Sequence, residues 1–255
     1  MTGDKFNELI NIMRRLRKEC PWDKEQTHDS IKGATLEETY ELLEAIDTKN
    51  YEEMKSELGD LLLHILFHSV IAEEQKKFNI DDVIDTIKEK LIRRHPHIFG
   101  EVKVKNPNEV AKNWEEIKMQ EGRNSVIEGV PKNLPGLARA YRLQEKASKV
   151  GFDWNNKKDV WEKVIEEIDE MKSMEDSDDK SKLEQEVGDL FFALTNYARF
   201  LGINPENAIR LSNEKFIKRF NYIEKRLKEN GKSITETTLT EMDKYWEESK
   251  KALSS

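Results

Sequence analysis

The feature that most constrains this chain is an acidic pattern that occurs twice. Glu166, Glu167 and Glu170 are followed by Glu186 and Asp189, and Glu37, Glu38, Glu41, Glu57 and Asp60 repeat the arrangement at a constant offset of 129 residues. A glycine sits inside the second acidic pair of each copy, as Gly59 and Gly188. Asp and Glu make up 51 of the 255 residues, so five coincidences at one shift arise about once in a few thousand, and a duplicated unit is the simpler explanation. On a helix, residues three or four apart share a face. Glu167 with Glu170, and Glu186 with Asp189, can each point one way, and two antiparallel helices would gather four carboxylates. Such a group repels itself unless a cation sits within it. A hard divalent ion, Mg2+ or Mn2+, is the economical occupant. Glycine inside a helix costs roughly 1 kcal/mol relative to alanine. The same penalty in the same slot of both copies implies a close approach to the backbone, by a ligand or by a tightly packed helix.

The rest of the composition agrees with helices. Proline is absent from 22–95 and from 136–204, and Glu, Lys and Leu are abundant, which predicts an all-α protein. The spacing predicts helices over 4–19, from Thr35 to about 49, and over 51–76, 81–94 and 107–121. It predicts further helices over 137–148, 159–174, 183–201, 205–229 and 238–253. Thr35 followed by Glu38 reads as a capping box that competes with the metal-ligand reading of Glu38, and residues 20–33 read as a polar loop. Residues 122–136 hold three Gly and two Pro and read as a linker. The expected organisation is therefore a tandem repeat of two helical-bundle domains, 1–121 and 137–255.

The net charge of −8 argues against a general nucleic-acid binder. There is no apolar run of membrane-spanning length and no signal peptide at the charged N-terminus. Cys20 is the only cysteine, so no intrachain disulfide exists and a reducing cytoplasm is expected.

Each copy also carries a Lys and an Arg on one helical face, then a Trp with a Lys one turn on. In the second copy these are Lys215, Arg219, Trp246 and Lys250; in the first they are Lys90, Arg94, Trp114 and Lys118. Metal carboxylates with cationic side chains suit a polyphosphate, and a Trp can stack on a base. Taken singly, a basic i,i+4 pair is as readily a solvated face and a Trp as readily core; recurrence in both copies favours function. His64 and His68 have zinc-ligand spacing but align with Ala193 and Tyr197, and read as structural. A di-iron bundle needs repeated Glu-x-x-His motifs, and Glu25 with His28 is the single match.

These residues, with Cys20-Pro-Trp-Asp-Lys-Glu-Gln-Thr, Arg93-Arg-His-Pro-His, Val150-Gly-Phe-Asp-Trp and Glu214-Lys-Phe, resemble the two-domain MazG nucleoside triphosphate pyrophosphohydrolases of the all-α NTP pyrophosphatase superfamily. The resemblance covers nearly the whole chain. It implies Mg2+-dependent hydrolysis of NTPs and dNTPs between the α and β phosphates, with broad base tolerance, and a homodimer. By the family pattern Glu167, Glu170, Glu186 and Asp189 match the metal ligands, with Glu166 beside them. Lys215, Arg219, Trp246 and Lys250 match nucleotide-binding positions. The family usually assigns activity to the second copy; the first offers a second site built on Glu37, Glu38, Glu41, Glu57 and Asp60 with Lys90, Arg94, Trp114 and Lys118. The rival reading is a regulatory protein that binds nucleotides or a partner with little turnover. An enzyme would turn over many equivalents and require metal, whereas a binder would saturate.

Overall fold

The computed structural model describes residues 2–122 and 125–253, and among them every regular element is a helix. The chain divides into two compact units, Met1–Asn106 and Pro107–Ser255. Helix α7 (Pro107–Gln120) therefore falls with the second unit, whereas the composition shift at 122–136 placed it with the first; Arg123 and Asn124 of that stretch lie outside the described residues.

The first unit comprises α1 (Thr2–Glu19), α2 (Pro21–Glu25), α3 (His28–Asp47), α4 (Tyr51–Glu74), α5 (Ile80–Arg94) and the short α6 (Pro96–Phe99). Helices α3 and α4 pack along one another, and α1 crosses α4. The core joins Ile10 and Met13 of α1 to Ile31 of α3 and to Leu66, Phe67, Val70 and Ile71 of α4. Arg17 is buried beneath this layer. Its guanidinium donates to both carboxylate oxygens of Glu74, at 3.0 and 2.5 Å, and to the carbonyls of Asp23 and Gln26. This clamp fixes α2, so Trp22 is held on the surface, 63% exposed.

The Thr35–Glu38 cap expected from the sequence is not the start of α3. The helix begins at His28, where the Thr27 hydroxyl accepts from the Ser30 amide and the Ser30 hydroxyl accepts from the Thr27 amide. Thr35 lies mid-helix and donates to the Ile31 carbonyl at 3.1 Å. A reciprocal Thr/Ser cap won because it satisfies two orphan amides that Thr35, two turns later, cannot reach.

The second unit holds α7, α8 (Gly136–Ser148), α9 (Lys157–Met174), α10 (Lys180–Phe200), α11 (Pro205–Glu229) and α12 (Leu239–Ala252). Helices α9 and α10 pair as α3 and α4 do, α8 lies on α10 and α11, and α12 packs against α11. Asn156, Asp179 and Asn204 cap α9, α10 and α11 by accepting from amides in the first turn. Val160, Val164 and Ala193 are buried between α9 and α10, and Ile223, Leu227 and Tyr245 form the core of the α11–α12 pair.

No helix among the described residues is long and apolar enough to cross a membrane.

Candidate metal-binding site in each unit

In the second unit, Glu167 projects from the middle of α9 and Glu186 and Asp189 from the first half of α10. Their carboxylate oxygens lie within 4.8 Å of one another. Glu167 is only 5% exposed. Glu170, one turn on, is held above the ordinary carboxylate value first by burial and then by the Glu167 charge, so it shares the same electrostatic environment. Glu166 stands on the exposed side of α9.

One residue absent from the sequence reading completes this geometry. Lys163 places its ammonium 2.7 Å from a Glu167 oxygen and 2.9 Å from a Glu166 oxygen. Bonds to both carboxylates hold the lysine far above its ordinary value, so it stays charged. Its spacing of three and four residues before the two glutamates was the legible signal. It escaped because the copies differ there: Ala34 occupies the matching position in the first.

The first unit shows what the acids do without that lysine. Oxygens of Glu38 and Glu41 on α3 and Glu57 on α4 lie within 4.8 Å of one another. Glu38 and Glu57 are both held above the ordinary carboxylate value, first by burial and then by neighbours that include Glu41 and Asp60. The Glu57 carboxyl lies beside those of Glu38 and Glu41. The first cluster thus has its acids held toward the protonated form, whereas the second has an ammonium beside it. Glu37 is exposed, like its counterpart Glu166.

Both donor sets fit a hard divalent cation. They are carboxylate oxygens drawn from two packed helices, with no sulfur or imidazole among them, and each needs positive charge to persist. Gly59 and Gly188 do not serve helix packing. A Cβ at either position would meet nothing within 4 Å, so the space beside the backbone is open.

The cationic and aromatic residues form pairs of their own. The Arg219 guanidinium lies 5.4 Å from the centre of the Trp246 ring, which also packs on Phe216 at 5.5 Å. This platform spans α11 and α12. Lys250 is paired with Glu247. Trp114 carries Lys118 over its ring at 5.1 Å, repeating the Trp–cation pairing. Lys90 and Arg94 lie on α5 of the first unit, whereas Trp114 and Lys118 lie on α7 of the second.

Comparison with known proteins agrees with this arrangement. The MazG nucleotide pyrophosphohydrolase domain family matches residues 26–99 and 156–223, the two stretches that carry the paired helices. The chain is 46% identical over 253 residues to the nucleoside triphosphate pyrophosphohydrolase/pyrophosphatase MazG of Thermotoga maritima, covering 97% of this chain and 96% of that protein. It is 40% identical over 257 residues to the nucleoside triphosphate pyrophosphohydrolase of Escherichia coli K12, covering 97% and 98%. It is also 48% identical to the uncharacterized protein YabN of Bacillus subtilis, covering 96% of this chain and 52% of that longer protein. The chain belongs to the MazG nucleotide pyrophosphohydrolase family, and carries the family's domain twice.

Proposed function

We propose that this protein hydrolyses nucleoside triphosphates between the α and β phosphates, releasing the monophosphate and pyrophosphate, with the second unit as the catalytic one. The observation that carries this reading is the convergence of Glu167, Glu186 and Asp189 beside the charged Lys163. The names of the relatives supply the reaction class.

Glu167, Glu170, Glu186 and Asp189 are the residues that would hold Mg2+ or Mn2+. The cation supplies Lewis-acid charge to the phosphate oxygens and to the attacking water. Water attacks the α phosphorus as its bond to the bridging oxygen breaks, and pyrophosphate leaves. A carboxylate beside the site, Glu166 or Glu170, accepts the proton from the water. Lys163, charged and beside the cluster, would offer an ammonium to a phosphate oxygen. Lys215, Arg219 and Lys250 would neutralise phosphate charge, and the Trp246 face offers a stacking surface that tolerates any base. Broad base tolerance follows from stacking without base-edge readout. The open space beside Gly188 leaves room for a phosphate against the helix backbone.

A second reading applies to the first unit alone. Its cluster lacks a lysine equivalent to Lys163, which favours binding of metal or nucleotide with little turnover there. A homodimer is supported by large apolar side chains left exposed on α10 and α11, among them Phe191, Phe216 and Ile217. The single cysteine is consistent with a cytoplasmic location.

The test is product analysis with the eight common NTPs and dNTPs, with Mg2+ and with EDTA, for the wild type, Glu167→Ala and Glu38→Ala. Monophosphate plus pyrophosphate, lost with EDTA and with Glu167→Ala but kept in Glu38→Ala, is the expected result. Nucleotide that binds at the stoichiometry of the sites and is never consumed would overturn it.

A further inference from the structure

The function leaves unused a polar network inside the first unit, between the start of α3 and the middle of α4. His28 and His68 face each other with Nδ1 to Nδ1 at 2.8 Å. Their rings are within 9° of parallel and their centres are 5.1 Å apart. That separation is the nitrogen gap plus two ring radii, so the rings meet head-on in one plane and do not stack. Thr35 Oγ1 lies 3.3 Å from His68 Nε2 and 3.0 Å from Nδ1 of His64, which is itself only 9% exposed.

One placement of protons satisfies every contact. His28 Nδ1–H donates to His68 Nδ1, and His68 Nε2–H and His64 Nδ1–H both donate to Thr35 Oγ1. The Thr35 hydroxyl donates to the Ile31 carbonyl. The His28–His68 pair can take one further proton, on the outer nitrogen of His28, and keep its bond. A second proton puts two N–H groups nose to nose at hydrogen-bond distance, between two cations.

The second unit fills the same level without this chemistry. At the offset of 129, Thr35, His64 and His68 become Val164, Ala193 and Tyr197. Val164 is fully buried, and Tyr197 packs on Trp161 with ring centres 4.9 Å apart. An apolar and aromatic seam therefore holds this helix pair together, so the fold does not require histidines there.

We propose that the His28–His68–Thr35–His64 network is an acid-operated clasp: a second proton on the facing imidazoles parts them and loosens α3 from α4, the helix pair that carries Glu38, Glu41 and Glu57, while the second unit stays closed. Burial, and then the neighbouring His28 and His64, keep His68 below the ordinary histidine value, which favours the closed form near neutral pH. The charged groups of the surrounding elements are Arg17 of α1, paired with Glu74, and Asp23 of α2. They also include Asp29 of α3, paired with Lys32, Asp60 of α4, and Asp85 of α5, paired with Lys88. Of these, Asp29 is coupled to His28, whose charge helps to hold the Asp29 carboxyl below its ordinary value, whereas the groups that act on His68 are His28 and His64.

The experiment is NMR titration of the histidine rings in the full-length, metal-free chain between pH 8 and 5, with amide exchange followed over the same range. Two ring signals, assigned through His28→Gln and His68→Gln, are expected to titrate as a linked pair. The second step should need at least about tenfold more protons than an ordinary histidine, whose midpoint is near 6.5. Over that second step, protection of α3 and α4, corrected for intrinsic exchange, should fall at least about tenfold more than that of α9 and α10. In His68→Gln, which hydrogen-bonds but cannot charge, this selective loss should vanish. Independent titration of all five histidines near the ordinary value overturns the proposal. So does an equal loss of protection in both units. If neither variant folds, the wild-type amide exchange, which compares α3 and α4 with α9 and α10, still decides the matter.

Discussion

Replacing Gly188 or Gly59 by alanine separates the demands of folding from those of the ligand. Both glycines lie inside long helices, between the members of an acidic pair, and neither has a left-handed backbone. Both are exposed, and an added Cβ meets nothing within 4 Å. The only folding term left is backbone entropy, worth about 1 kcal/mol in favour of alanine. The second unit spans 149 residues, 107 to 255, and a gain of that size raises its unfolding midpoint by about 2–4 °C; the smaller first unit should gain about 4 °C or more. Scanning calorimetry of metal-free Gly188→Ala and Gly59→Ala reads this directly. A lower midpoint in either variant would refute the claim that the slot is open. With stability raised, kinetics isolate the ligand: if a phosphate lies against the backbone at Gly188, the methyl group raises KM for nucleotide in Gly188→Ala and not in Gly59→Ala. Unchanged kinetics in the stabilised Gly188→Ala would remove any role for close approach.

Lys163→Met leaves the buried Glu167 carboxylate without its cation, and urea unfolding in EDTA should show a loss of about 1–3 kcal/mol that Mg2+ largely restores; no loss would mean that the lysine does not balance the cluster. In the first cluster, Glu38 and Glu57 are held above the ordinary carboxylate value, so the folded form binds the extra protons. Their contribution to stability is complete below about pH 4.5 and is lost as pH rises through their raised values. Thermal midpoints of Ala34→Lys, which installs a cation in that cluster, should show a weaker decline than wild type from this source, and an identical pH profile would refute the raised carboxyls as its origin. Arg17→Met removes the clamp on α2 and should destabilise the first unit by about 2–4 kcal/mol while freeing Trp22, read as altered fluorescence; native-like emission and stability would show that the clamp is idle. Light scattering should give about twice the 30.0 kDa chain mass, and a monomer at working concentration would exclude the dimer.

What the sequence by itself determined was the part governed by local rules. Helical periodicity, the scarcity of proline and the offset of 129 residues carried the all-α class, the duplication and the two acidic helix pairs, because residues three and four apart share a face in any context. Thr35 misled for a local reason: the pattern of a cap was present, but a better one stood at Thr27, and competition between caps depends on which amides are left unpaired. Other features were decided only by tertiary structure. Glu167 is buried and Glu166 exposed because α10 covers one side of α9. Three of the four acids in each unit converge, and they are a different three in each. One cluster raises its own carboxyls and the other carries Lys163 beside it. Arg219 joins Trp246 because α11 lies on α12, and His28 finds His68 across forty residues of chain. Each of these depends on distances between helices, which a one-dimensional repeat does not contain, since burial and charge balance are properties of the packed pair.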